Sequence, residues 1–184
     1  MDNGPEDRRF IEQAASGDRR AFGELVTRYQ RRLFRFVFML LKSKDGTDDV
    51  VQDAFVNAWQ ALATFEPDKP FYPWLSTIAR NLALNRLKRE ARQTQASEME
   101  DEFEKIPDRA LNPLDKLIEK ENDRVLARAV MSLPEQYRTV FVLRMIEKMP
   151  YEKIAEQLNI SPGTVDSRLH RARAKLMEML KEHL

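Results

Sequence analysis

Residues 151–176 read YEKIAEQLNISPGTVDSRLHRARAKL: two short amphipathic segments joined by a turn, the second crowded with arginine. In 151–158, Ile154, Ala155 and Leu158 share one face, and Ala155 is small enough for a second helix to cross closely. Asn159-Ile160-Ser161 makes the turn, with Ser161 suited to cap the next helix and Pro162 to open it. Val165, Leu169, Ala172 and Leu176 then point to a core. Thr164, Ser167, Arg168, Arg171 and Lys175 are left outward, as in a helix that lies in a DNA major groove. Arginine forks onto guanine O6 and N7, and Ser or Thr reaches bases or phosphates. The alternative is an ordinary helical hairpin with a solvated basic face. Asp166 fits poorly beside phosphates, unless it accepts from cytosine N4 or pairs with a neighbouring arginine.

The rest of the chain narrows the choice. Its 184 residues have room for one domain or two small ones, and 33% charged residues with only 5 glycines suit a helical, soluble protein. No apolar run approaches the roughly 20 residues of a membrane span, and MDNGPEDRRF has no apolar signal core. Membrane insertion and export are therefore not expected, and a cytoplasmic location is. Cysteine is absent, which excludes disulfides, thiol chemistry and Cys-ligated zinc. His170 and His183 are the only histidines, so no metal centre is expected. There is also no glycine-rich phosphate loop, so neither nucleotide hydrolysis nor a cofactor is anticipated.

The formal net charge of +1 hides a block pattern. Arg28, Arg31, Arg32, Arg35, Lys42 and Lys44 stand in an acid-free 28–44, followed by Asp45, Asp48, Asp49 and Asp53. Residues 80–92 carry five cations against Glu90, and 97–108 carry six acids against Lys105. Apolar residues recur at three- and four-residue intervals from about Glu6 to Lys42, the pattern of an amphipathic helix. Lys44-Asp45-Gly46 reads as a turn and Thr47 as the cap of a helix over 48–64, with Asp48 and Asp49 in its first turn and Val51, Phe55, Ala58 and Leu62 inward. A third helix starts near Pro73 and runs to about Arg92, with Leu75, Ile78, Ala79 and Leu82 inward.

Residues 93–112 lose periodicity and become polar and acidic, the composition of a tether; extended, they span at most about 65–70 Å. Helices resume over 114–132, with Leu117, Ile118, Val125, Leu126, Ala129 and Val130 inward. Another follows Pro134, with Tyr137, Val140, Phe141 and Leu143 inward. No strand alternation is present. The expected fold is all-α: two small helical domains, 1–92 and 113–184, joined by a flexible acidic linker over 93–112.

Asn81, Asn85, Lys88 and Arg92 have spacings of four, three and four, so they line one face of the third helix. Asparagine can hydrogen-bond the edge of an unstacked base, and the cations can hold the strand's phosphates. Phe71, Tyr72 and Trp74 begin the same helix and either stack on displaced bases or seal a core, Tyr72 being the better stacking candidate.

FYPWLSTIARNLALNRLKR (71–89), together with GDRRAFGELVTRYQRRLF, DDVVQDAFVNAWQAL, LPEQYRTVFVLR, YEKIAEQL and GTVDSRLHRARAKL in that order, closely resembles the extracytoplasmic-function sigma factors of bacterial RNA polymerase. A lone helix-turn-helix is weak evidence, but six ordered blocks over nearly the whole chain are specific. The resemblance implies a sigma region 2 in 1–92, a region 4 in 113–184 and no region 3 domain. It implies that Asp48, Asp49, Gln52, Asp53, Asn57 and Trp59 meet the β′ clamp of core RNA polymerase, region 4 also meeting the β flap. It places Phe71, Tyr72, Trp74, Arg80, Asn81, Asn85, Lys88, Arg89 and Arg92 on the −10 element and the unpaired non-template strand. It places Ser161, Thr164, Asp166, Ser167, Arg168, His170, Arg171, Arg173 and Lys175 on the −35 element. It implies control by an anti-sigma factor, which can also hold the chain at a membrane. Many family members carry aspartate where Asn85 stands and a basic residue where Asp166 stands, so the resemblance does not fix base preference in either box.

The expected function is thus a transcription initiation factor that works by binding. One rival is a duplex-DNA regulator that needs no polymerase; it leaves the 71–92 block without a task. A second is a DNA recombinase, for which Ser76 beside Arg80 is the nearest approach to a nucleophile.

Overall fold

In the structure, a computed structural model that describes residues 5–96 and 121–181, every regular element is helical. The helices are α1 (Pro5–Ala15), α2 (Arg19–Leu41), α3 (Lys44–Ala61), α4 (Phe71–Ala96), α5 (Glu121–Ser132), α6 (Glu135–Met145), α7 (Tyr151–Leu158) and α8 (Pro162–Lys181). A 3₁₀ turn, Leu62–Thr64, follows α3. The chain divides into two compact units, Met1–Ala83 and Leu84–Leu184. That division falls inside α4, ahead of the boundary expected at 92. Residues 93–96, expected to begin the tether, continue α4 to Ala96; the remaining tether residues 97–112, and Leu114, Leu117 and Ile118 of the expected helix start, lie outside the described residues.

In the first unit α1 and α3 both pack on α2. The single periodic stretch expected over 6–42 is two helices. Gly17 adopts φ +101°, open to glycine and strained for other residues, and its N–H bonds Ala14 O at 2.9 Å to close α1. Asp18 then caps α2, its Oδ1 accepting from the N–H groups of Arg20 (2.8 Å) and Ala21 (3.3 Å). The apolar stripe continues through this corner, with Ile11, Ala14, Ala21 and Leu25 all buried, so periodicity alone does not register it.

The start of α3 also corrects the sequence reading. Ser43, not Thr47, is the cap: its Oγ accepts from Gly46 N–H at 3.1 Å. Gly46 and Thr47 lie buried in the first turn, and the Thr47 hydroxyl donates to Ser43 O at 2.7 Å. Val50, Ala54, Phe55, Ala58 and Leu62 form the buried stripe, with Val51 half-buried beside it. α4 begins at Phe71, two residues before Pro73, and buries Phe71, Leu75 and Ala79.

In the second unit α5, α6 and α7 each contact α8. Its core joins Leu84, Val140, Leu143, Met149, Ile154, Ala155, Val165 and Leu169. Leu126, expected inward, is 45% exposed, while Ala127, Ala129, Val130 and Met131 carry the buried face of α5. Arg138 is buried at 3% exposure, its Nη1 donating to Leu133 O at 3.0 Å. Burial pushes its guanidinium below the ordinary arginine value, against the favourable charge of Glu135.

Candidate nucleic-acid interface

The turn between α7 and α8 is built as its residues dictate. Asn159 takes a left-handed conformation at φ 53° and caps α7, its N–H bonding Ala155 and Glu156 carbonyls. Ile160 N–H returns to Ala155 O at 3.0 Å. Ser161 caps α8, its Oγ accepting from Thr164 N–H at 3.1 Å and sharing a hydrogen bond with Thr164 Oγ1 at 2.8 Å. Val165, Leu169, Ala172 and Leu176 are buried. Asp166, Ser167, His170, Arg171, Arg173 and Lys175 are exposed, while Thr164 and Arg168 are half-buried. Among the described residues Asp166 pairs with no arginine, which leaves its carboxylate available to a base amino group.

On α4, Asn81, Asn85, Lys88, Arg89 and Arg92 are all exposed, opposite buried Leu75, Ala79 and Ala83. Arg80 is half-buried. The three aromatics that open α4 part company. Phe71 is fully buried, its ring 5.8 Å from Phe65 and 5.6 Å from Trp74, so it serves the core and offers no face to a base. Trp74 is half-buried against Phe65 at 4.7 Å. At about 100° per residue it lies seven residues, close to two whole turns, from Asn81 and so in line with the polar face. Tyr72 lies nine residues and about half a turn away from Asn81, facing α2. There the Arg32 guanidinium sits 3.6 Å from its ring centre and Tyr29 stacks at 6.0 Å. Sequence reading grouped the three aromatics as candidates to stack on bases; the register keeps Trp74 in line with the asparagines and turns Tyr72 to the opposite side.

On α3, Asp48, Asp49, Gln52, Asp53 and Asn57 are exposed together on one side. Trp59 is half-buried, edge-on to Phe22 at 5.0 Å, so packing takes much of its ring. Val56, which the sequence reading passed over, stands 47% exposed among these polar side chains. The signal for it was its spacing of four from Gln52 and three from Asp53. The basic stripe of α2 is partly spent internally: Arg28 pairs with Asp7 at 2.5 Å and Glu6 at 2.8 Å. These acids raise the Arg28 pKa, the Glu6 hydrogen bond most, against some loss of solvation.

Ser76, the one candidate nucleophile, is 1% exposed and its Oγ donates to Pro73 O at 3.2 Å, so it cannot meet a substrate. Among the described residues no cluster of His, Asp or Glu is arranged to hold a metal ion, and no helix is long and apolar enough to cross a membrane.

Two family models match the chain. The model described as Sigma-70 region 2 matches residues 25–93, and that for Sigma-70, region 4 matches residues 123–176. The ECF RNA polymerase sigma-E factor of Escherichia coli (strain K12) is 36% identical over 173 residues, 91% of this chain and 90% of its own length. The RNA polymerase sigma-H factor of Pseudomonas aeruginosa is 32% identical over 182 residues, covering 96% of this chain and 94% of that one. The chain belongs to the ECF sigma factors.

Among solved structures, CnrH in complex with the cytosolic domain of CnrY is similar to this sigma factor with TM-score 0.54 and 34% identity, over 96% of this chain and 98% of that one. RpoE in complex with the anti-sigma factor NepR from Bartonella quintana gives TM-score 0.54 and 25% identity, over 87% and 96%. As a sigma factor the chain initiates transcription with RNA polymerase and promoter DNA and is not an enzyme. The exposed asparagine face of α4 lies within the region 2 match, and α7 with α8 as far as Leu176 within the region 4 match.

Proposed function

We propose that this sigma factor attaches to core polymerase through the exposed side of α3, reads the upstream promoter box with α8 and opens the downstream box with α4. The observation that carries the reading is the exposed α4 face of Asn81, Asn85, Lys88 and Arg92. Amides that both donate and accept, followed by cations along one line, suit bases and phosphates of a displaced strand. A duplex-DNA regulator has no use for such a face. Opening is then driven by capture: unpaired bases bind only once the duplex has parted, so binding shifts the population towards the open state.

On α3, Asp48, Asp49, Gln52, Asp53 and Asn57 supply polar contacts around Val56, the arrangement of an apolar anchor inside a polar rim. On α8, Arg171 and its neighbours contact DNA, and Asp166 selects a base that offers an amino group. Asn85 has no charge to repel the strand and can donate to a base as well as accept. Control by an anti-sigma factor that covers these surfaces is supported by RpoE, similar over most of its length, being solved with NepR bound. Because the chain has no cysteine, thiol sensing would reside in that partner.

Run-off transcription with purified core polymerase over a genomic promoter library tests the whole reading. Discrete start sites sharing two spaced boxes are expected. Failure of the purified chain to direct core polymerase to any start site would overturn it.

A further inference from the structure

The glycines of this chain serve different ends. Gly17 sits at φ +101°, a conformation glycine holds without strain, so the turn after α1 needs it. Gly163, the second residue of α8, has no such need, since its backbone is outside the left-handed region. Among the described residues, a Cβ added there would meet only Ser161 Oγ at 3.8 Å, an ordinary van der Waals contact. Glycine inside a helix is less stable than alanine, because it has more conformational freedom to lose. Neither conformation nor packing within the second unit therefore accounts for Gly163. Gly23 of α2 is as open, so space alone marks no site.

What distinguishes Gly163 is its neighbours. It is exposed, lies three residues before Asp166 and four before Ser167, and so shares their side of α8. Val165, Leu169, Ala172 and Leu176 are buried on the opposite side. The tip that leads the exposed side carries little side chain. Ser161, Pro162 and Gly163 are all short and exposed, and the Ser161 and Thr164 hydroxyls are joined to each other at 2.8 Å. Cationic side chains begin only at Arg168, more than a turn further on.

We propose that Gly163 sets how deeply α8 enters the upstream box: a sugar–phosphate strand of the duplex packs against its bare Cα, at a distance that a Cβ would block. The proposal rests on the reading that α8 lies in the groove of that box. A recognition helix meets base edges with its N-terminal residues, so the approach of its first turn governs what the next turn can reach. Contacts to the strand fix register, and Asp166 and Ser167 then stand at a set depth against the bases. An added methyl group would lift the tip and carry both away from the groove floor. A first-turn glycine of no consequence would look the same in the free chain. The difference lies in the sign of two effects: alanine favours the fold and hinders the DNA.

The test uses the full-length chain and holoenzyme assembled from it with core polymerase. Gly163→Ala and Gly163→Leu are compared with the parent and with Arg171→Ala. In a thermal scan of the free chain, Gly163→Ala should melt at the parent's midpoint or above it. A lower midpoint would make Gly163 a requirement of the fold and overturn the proposal. Affinity is then measured on a promoter with both boxes and on a premelted template that ends short of the upstream box. On the full promoter Gly163→Ala should bind on the order of tenfold more weakly, the size of one mismatched base pair, and Gly163→Leu more weakly still. On the short template both should match the parent, as should their affinity for core polymerase. Loss on the short template, or loss of core affinity, would move Gly163 away from the upstream box and overturn the proposal. Parental binding to the full promoter by both Gly163 variants, with Arg171→Ala weakened, would overturn it while leaving α8 in the groove. If Arg171→Ala also binds the full promoter as the parent does, the underlying reading of α8 fails as well.

Discussion

Ser161 and Arg171 stand ten residues apart and illustrate two kinds of contribution. Ser161 holds α8 together, because its Oγ satisfies Thr164 N–H, one of the donors a helix start leaves open. Ser161→Ala is expected to cost about 1 kcal/mol and to lower the second unit's melting midpoint by several degrees in a thermal scan. Arg171 is exposed, and in the proposed reading its charge is turned towards DNA. Arg171→Ala should weaken upstream-box binding and reduce the slope of log affinity against log salt by about one, as read by holoenzyme titration across salt concentrations. The Ser161 cap and the outward setting of Arg171 were both legible in the sequence, because cap chemistry and outward spacing are local properties. The fate of Phe71 and Trp59 was not. An aromatic at helical spacing reads the same whether its ring packs inward or faces a ligand, and only the neighbours Phe65 and Phe22 decide it.

At the scale of elements, the apolar period found the helices but misplaced two of their starts. Gly17 and Asp18 turn the chain inside an unbroken stripe, and Ser43 captures the start of α3 four residues before the expected cap. Backbone hydrogen bonds decide such boundaries, and several nearby Ser, Thr and Asp residues compete for them. The α1–α2 contact carries a pH signature. Burial, with help from the Asp7 hydrogen bond and charge, raises the Tyr29 pKa well above the ordinary 10.0. A raised native pKa contributes stability in full below the unfolded value and loses it as pH climbs towards the native one. Chemical denaturation of the wild-type chain should therefore show a fall in stability above about pH 10 that Tyr29→Phe lessens. On α4, Asn81→Ala and Asn85→Ala should impair promoter opening, measured by permanganate reactivity, while largely sparing attachment to core polymerase. Equal loss of attachment would move that face to the protein interface. On α3, Val56→Asp should weaken core polymerase binding on the order of tenfold in a competition assay, since it puts another acid where an apolar anchor stood.

For the whole molecule, the charge blocks matter more than the net charge of +1. Each unit carries its own exposed polar or basic helix face, and the isolated chain is expected to bind duplex promoter weakly. A gel shift should show tight, specific binding only after core polymerase is added; equal binding without it would favour the duplex regulator. Sequence alone determined the all-helical fold, the two family regions and the outward residues of α8, because periodicity, capping chemistry and ordered motifs are written along the chain. Tertiary structure decided which aromatics are spent on packing, that Arg28 is occupied by Glu6 and Asp7, and that Arg32 lies on Tyr72. Most of those outcomes join residues about 20 to 40 positions apart, and the packing of α1, α3 and α4 against α2 determines which of them meet.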